Sequence, residues 1–209
     1  MAMVDVAFAL LGQTPIPADH GYVLYGSLCR VLPELHCGNG FAIHPIRGQQ
    51  IGNRQLRLTD RSRLMIRVST DEIGELIPLS GKQINVNGTS LRIGVPQVIP
   101  LRPAPALRCR LVTTKNCLDQ SRFEEEIRRQ LDALNVSSAA IVTVGKRRTL
   151  RVKDKEVVGY ELIIEGLTAE ESLSIQETGL GGRRRMGCGV FMAFWRSDDV
   201  RHESFSDRT

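Results

Sequence analysis

Residues 121–134 read SRFEEEIRRQLDAL, and their spacing decides the fold. Phe123, Ile127, Leu131 and Leu134 recur so that a 3.6-residue turn lines them along one face. Glu124, Glu125, Arg128 and Arg129 take the opposite face, each arginine four residues after a glutamate, the solvated pattern of a surface helix. Upstream, residues 106–113 read as a strand. Downstream, 139–144 read as a strand, 150–152 and 157–164 as a hairpin, 169–178 as a short helix and 187–195 as a final strand. The order is β-α-β-β-α-β, the ferredoxin-like unit.

The first half carries a looser version of that order. Val4–Leu11 is apolar and β-prone, and Pro15 and Pro17 break it. Asp19 is positioned as a helix N-cap, and Leu24, Leu28, Val31 and Leu35 form a helical stripe ending before Gly38. Short strands are expected at 41–46, 55–58 and 63–68, and a helix at 70–79. Asn87-Gly88 should turn a hairpin between 83–86 and 90–93. Four prolines in 95–106 read as a semi-rigid linker. The fold class is α+β, two tandem ferredoxin-like domains: 1–97, a linker at 98–106, 107–196, and a polar tail at 197–209.

The chain has 209 residues with a net charge of +5, room for two small cores and a mild basic excess that suits a polyanionic partner. Five cysteines in no C-x-x-C pair argue against zinc ribbons and disulfide frameworks and suit a reducing cytoplasm. No apolar run reaches a membrane-spanning length, and no secretory leader is visible, so no membrane association is expected.

The most specific segment is GLGGRRRMGCG, residues 179–189. Its glycines Gly179, Gly181, Gly182, Gly187 and Gly189 let a backbone turn and approach another chain closely. Arg183, Arg184 and Arg185 supply forked donors for phosphate; a surface loop with a solvated charge run is the plainer alternative. No G-K-[ST] follows, so a mononucleotide P-loop is disfavoured. A second basic cluster holds Lys146, Arg147, Arg148, Arg151, Lys153 and Lys155, placed on a hairpin turn with Arg151 and Lys153 sharing a face. A solvated hairpin would carry the same charges.

Cleavage of RNA through the ribose 2′-hydroxyl needs acid–base groups near neutral pH, which directs attention to His20, His36 and His44. His20 follows the expected cap, His36 ends the first helix, and His44 precedes Pro45 in a strand. Tyr25 and His36, eleven residues apart on one helix face, would lie about 16 Å apart along its axis. The carboxylates do not cluster as a two-metal site requires.

GLGGRRRMGCGVF, together with DHGYVLYGSLCRVLPELH, VPQVIPLRPAPALRCRLVTTKN and VTVGKRR before VVGYELIIEGL, resembles the CRISPR repeat-processing endoribonucleases of the RAMP superfamily. The resemblance spans nearly the whole chain. It implies metal-independent cleavage of precursor CRISPR RNA by 2′-hydroxyl attack, leaving a 2′,3′-cyclic phosphate, without a cofactor. It implies CRISPR repeat RNA as the partner, with retention of the product hairpin in a complex with other effector subunits. On that basis His36 matches the acid–base histidine, with Tyr25 and Lys146 as further catalytic candidates. Cys29 departs from the family, standing where others carry a tyrosine or histidine. Arg110 matches an arginine that reads a base at the foot of the stem, and Arg47 is the cation nearest a family lysine. Lys115, Arg147, Arg148, Arg151, Lys153 and the glycine-rich loop would hold the RNA. His20 and His44 stay open as alternatives to His36. A catalytically silent RNA-binding subunit is the main rival; a ribosome-associated ferredoxin-like factor and a small-molecule enzyme with an anion-binding loop are further ones.

Overall fold

A computed structural model describes residues 2–12, 15–37, 40–115 and 119–195; the tail expected at 197–209 lies outside them. The first half contains β1 (Met3–Leu11), β2 (Ile16–Pro17), α1 (Gly21–Val31), α2 (Glu34–Cys37), β3 (Ala42–Ile43), β4 (Gln49–Gln50), β5 (Gln55–Arg57), β6 (Arg63–Ser69), α3 (Ile73–Leu76), β7 (Gln83–Val86) and β8 (Thr89–Pro100). The second contains β9 (Ala106–Val112), α4 (Gln120–Ala133), β10 (Ile141–Val152), β11 (Lys155–Glu165), α5 (Ala169–Thr178) and β12 (Met192–Ala193).

Both halves share one strand order. The first sheet runs β3-β6-β1-β8-β7 and the second β10-β11-β9-β12. Without the edge strand β7, each is the antiparallel ferredoxin-like sheet whose first and third strands sit in the middle. β1 explains its own position. Val4, Val6, Phe8 and Leu10 face the first core, and Asp5 and Ala7 on the other face are buried as well. A strand covered on both faces reads as an almost continuous apolar run.

Several expectations change on inspection. The first helix does not run on to His36. Leu32 leaves helical geometry at φ −137, ψ 84, because Pro33 restricts the residue before it, and the chain restarts as the short α2. Asp19 is not the cap of α1; His20 holds that position without a side-chain cap, and the Asp19 carboxylate accepts the Arg151 backbone N–H at 2.9 Å in the other half. The helix expected at 70–79 is α3 flanked by two 3₁₀ turns, the second containing Pro78. The Asn87-Gly88 turn forms as its residues demand, with positive φ at both.

The stretch read as a linker is strand as far as Pro100, which pairs with Val4. β7 covers β8 only over Thr89–Arg92, so Pro96 and Pro100 lie along an uncovered edge that tolerates residues without an N–H. The hairpin read from 150–164 is longer: β10 is one strand from Ile141, with a bulge between Val144 and Arg147. Lys146, Arg147 and Arg148 therefore lie in strand, and the turn falls at Lys153, φ 55, where the alternation linking it to Arg151 ends. The last strand is only Met192–Ala193, because the glycine-rich segment before it makes its own loop contacts.

A buried polar network ties the halves together. Arg67 grips Asp5 with two parallel bonds, Nε to Oδ1 at 2.8 Å and Nη2 to Oδ2 at 2.9 Å. Its Nη1 donates to the carbonyls of Gln176 at 2.7 Å and Phe191 at 2.9 Å. His44 Nε2 meets the same Asp5 Oδ1 at 2.9 Å. A small apolar seam of Leu111, Leu150 and Cys188, with Met186 against it, adjoins α1: a Cβ on Gly21 would collide with the Met186 carbonyl.

Candidate functional site

The glycine-rich loop is built by close backbone approach. Gly189 takes φ +68, its N–H donates to Leu111 O at 2.8 Å, and a Cβ there would lie inside the Leu180 carbonyl. Gly181 takes φ +74 and would press a Cβ into the Thr113 carbonyl. Both positions need a residue without a Cβ. Gly182 meets no such limit. The loop leaves α5 at Gly179, makes a single 3₁₀ turn over Arg184–Met186, and is flanked by the two carbonyls that Arg67 holds.

Its three arginines point to three different environments. Arg183 is exposed, in left-handed backbone at φ 63. Arg184 turns inward, donates to Glu177 O at 3.0 Å and closes the end of α5; burial lowers its pKa, with a smaller push from Arg67. Arg185 reaches the first half. Its Nη1 donates to the Tyr25 hydroxyl at 3.3 Å and to the His36 carbonyl at 3.2 Å, and its guanidinium lies 5.1 Å from the Phe41 ring centroid. Tyr25 and His36, separate on the expected helix, thus meet through one side chain.

The His36 imidazole is exposed and makes no hydrogen bond or ion pair among the described residues. The other two histidines differ. His20 is buried; its Nδ1–H donates to Pro17 O at 2.8 Å and its Nε2 accepts the Ile46 N–H at 2.9 Å, so both nitrogens are occupied in the neutral form. Burial lowers its pKa despite the Pro17 bond. His44 is buried with Nε2 on Asp5, and burial likewise lowers its pKa against the raising effect of that bond. Burial alone would raise Asp5, but the hydrogen bonds from His44 and Arg67 outweigh it and hold the carboxyl well below its ordinary value. Lys146 is exposed at the β10 bulge, and no hydrogen bond or ion pair joins it to Tyr25, His36 or Arg185. Cys29, one turn beyond Tyr25 on α1, packs partly buried against the first core.

Two hollows lined by basic residues are present, the first of them bordered by the loop. One groove of 860 Å³ is lined by Lys115, Arg129, Lys155 and Arg183 with Gly181 and Gly182. Gly181–Arg183 also rim the 360 Å³ cleft that holds Tyr25, Phe41 and Arg185, so one loop borders both. Arg129 is committed to Glu126, whose carboxyl it and Gln130 pull down to about 2. A second hollow of 350 Å³ gathers Arg54, Arg110, Arg147 and Arg148 across the two halves. Arg148 is ion-paired to Glu161 at 3.2 Å. Arg54 and Arg108 escaped the sequence reading. Arg54 follows Asn53 at positive φ in the β4–β5 turn, a signal only in hindsight. The exposed side chains of Arg151 and Lys153 line neither hollow. Arg47 and Arg110 line a further cavity together with Gly187. Among the described residues no three His, Cys, Asp or Glu side chains come together as metal ligands would.

The chain matches the family model described as "Cas6 Crispr" over residues 4–196. It is 39% identical over 201 residues to a protein of Myxococcus xanthus (strain DK1622) named "CRISPR-associated endonuclease Cas6", covering 96% of this chain and 86% of that one. Its fold resembles a solved "CRISPR associated protein Cas6" with a TM-score of 0.67 at 15% identity, over 92% of this chain and all of the other. It also resembles a Cas6-related protein from Pyrococcus furiosus with a TM-score of 0.64 at 13% identity, over 93% of this chain and all of that one.

Proposed function

Since the chain belongs to the Cas6 family, we propose that it binds CRISPR repeat RNA and cuts the precursor transcript into guide RNAs. The endonuclease name of the Myxococcus relative supports the activity class. The observation that carries the reading is the double contact of Arg185 with the Tyr25 hydroxyl and the His36 backbone carbonyl, which joins an arginine of the glycine-rich loop to the residue that carries an exposed imidazole.

In this reading no metal takes part. The ribose 2′-oxygen attacks the adjacent phosphorus, the P–O5′ bond breaks, and a 2′,3′-cyclic phosphate and a 5′-hydroxyl form. His36 either takes the 2′-hydroxyl proton as the neutral base or, protonated, gives one to the departing 5′-oxygen. Tyr25, which shares Arg185 with the His36 backbone, assists it, and Arg185 or Lys146 offsets charge on the phosphate. Arg183, Lys115 and Lys155 would track the stem backbone, and Arg47, Arg110, Arg147, Arg148, Arg151 and Lys153 would hold flanking phosphates. The two halves, divided at 98–106, act as one surface. We include in the proposal that the cytoplasmic product complex persists and joins other effector subunits.

Repeat hairpins incubated in EDTA, with and without a 2′-deoxy at the scissile position, test this. The ribose substrate should be cut and the deoxy substrate should survive; cutting of both would remove 2′-hydroxyl attack. A second reading, a silent hairpin-binding subunit, is favoured by Cys29 alone. Tight binding with no cut product in the same reaction would select it.

A further inference from the structure

Arg67 lies in β6, where Leu64, Ile66 and Val68 face the first core and alternation turns Arg67 to the opposite face. There it stands directly across from Asp5 of β1. Its side chain is 1% exposed, out of reach of RNA. Nε and Nη2 donate to Asp5, and that pair alone would leave Nη1 buried without an acceptor, at a cost in free energy. Nη1 instead donates to two carbonyls of the second half, those of Gln176 and Phe191.

Gln176 is in the last turn of α5, where carbonyls have no partner within the helix. The Gly179 N–H donates to Ile175 O and Arg184 donates to Glu177 O; Arg67 answers the Gln176 carbonyl between them. Phe191 immediately precedes β12. The loop 177–190 thus runs between two points held by one nitrogen. Within it, Gly187 lies so near Pro45 that a Cβ would stand 3.0 Å from the proline ring. Pro45 follows His44, whose Nε2 rests on the same Asp5 carboxylate. A guanidinium is a rigid plane, so its fork fixes the direction as well as the distance from Asp5 to the two carbonyls. Packed apolar side chains would join the halves as firmly, but without that direction.

Arg185 extends from this loop and must meet two acceptors of the first half together, the Tyr25 hydroxyl and the His36 carbonyl. We propose that Arg67 is a positioning residue: through the loop it holds Arg185 against Tyr25 and α2, and so sets the rate of RNA cleavage without touching RNA. The effect on rate rests on the function proposed above; the coupling of Arg67 to Arg185 does not.

Two variants of the full chain test this. Arg67→Lys keeps a cation beside Asp5, but its single nitrogen cannot grip the carboxylate with two parallel bonds and also reach both carbonyls. Arg67→Met combined with Asp5→Asn removes both charges, so no buried carboxylate is left unmatched. Each is assayed on repeat hairpins under single-turnover conditions, below its melting temperature. Cleavage should slow by about tenfold or more while hairpin affinity holds, because a small misplacement is enough to slow a reaction that depends on orientation. In an Arg185→Ala background the same changes should slow cleavage no further. Losses that add in that background, a rate equal to wild type, rate and affinity falling together, or failure of both variants to fold would each reduce Arg67 to a structural tie and overturn the proposal.

Fluorine NMR of fluorotyrosine at Tyr25 reads the geometry without RNA. Arg67→Lys should move that signal in the same direction as Arg185→Ala does. A moved signal in a protein whose wild type cuts no repeat RNA would keep the coupling and reject the function. Cutting by the wild type with the signal unmoved in Arg67→Lys would reject the coupling and keep the function.

Discussion

Arg67 in the first sheet donates to the Phe191 carbonyl in the second half at 2.9 Å, with 1% of its side chain exposed. The same nitrogen holds the Gln176 carbonyl. These two carbonyls bracket the glycine-rich loop, so one buried guanidinium fixes both ends of the segment that carries Arg183–Arg185.

Arg67→Met should destabilise the protein by about 3–5 kcal/mol, because it leaves the Asp5 carboxylate buried without its main partner. Adding Asp5→Asn should recover part of that loss. Urea unfolding of both singles and the double measures the coupling; additive losses would mean the pair acts separately.

Stability should fall in two steps as pH drops. His20 and His44 have folded pKa values below the ordinary 6.5, so they stay neutral when folded and take up protons on unfolding. Their contribution is complete above 6.5 and is lost as pH falls from there toward the folded values. Asp5, also depressed, contributes above its ordinary 3.8 and is lost below it. Melting temperatures taken from neutral pH downward should show the upper step, and His44→Gln should shrink it.

His36→Ala should slow cleavage by roughly 10²–10⁴-fold while hairpin affinity changes little. Gel assays under single-turnover conditions read both quantities. An unchanged rate would move the proton chemistry elsewhere.

The three loop arginines should separate by phenotype. Arg183→Ala should weaken RNA binding and reduce the salt slope by about one. Arg184→Ala should act mainly on stability, since its bond is to Glu177 O at the end of α5. Arg185→Ala should impair cleavage more than binding, because it loosens Tyr25 and α2.

Within the loop, Gly189→Ala should cost more than the roughly 1 kcal/mol of an ordinary misplaced alanine, since it adds a collision with the Leu180 carbonyl to a left-handed backbone. Gly182→Ala, in open space, should be close to neutral. Thermal melts of the two variants make the comparison.

Much of this architecture is readable in the sequence, for physical reasons. Phe123, Ile127 and Leu131 are all fully buried, as their spacing implies. Asn87-Gly88 specifies its turn because few other residues tolerate that backbone. What escaped reading depends on long-range contact. Val142–Val144 and Leu150–Val152 look like separate strands because the bulge between them interrupts the alternation. The Arg67 network had one local sign, the lone carboxylate Asp5 inside VDVAF, but nothing nearby says which cation answers it. Tyr25 and His36 met through Arg185 only because Pro33 ended the helix, and a helical ruler could not have found that.

The β10 bulge works like a change of sides in a seam. Val142 and Val144 pack into the second core, whereas Leu150 and Val152, of the same parity, pack into the small apolar seam on the opposite face. The extra residue opposite Glu161 makes both possible on one uninterrupted strand. Shortening the chain by one residue there would invert everything downstream, turning Leu150 away from its neighbours and Arg151 toward them. The length of three ordinary-looking residues, Gly145 to Arg147, thereby governs whether the two halves can close on each other at all.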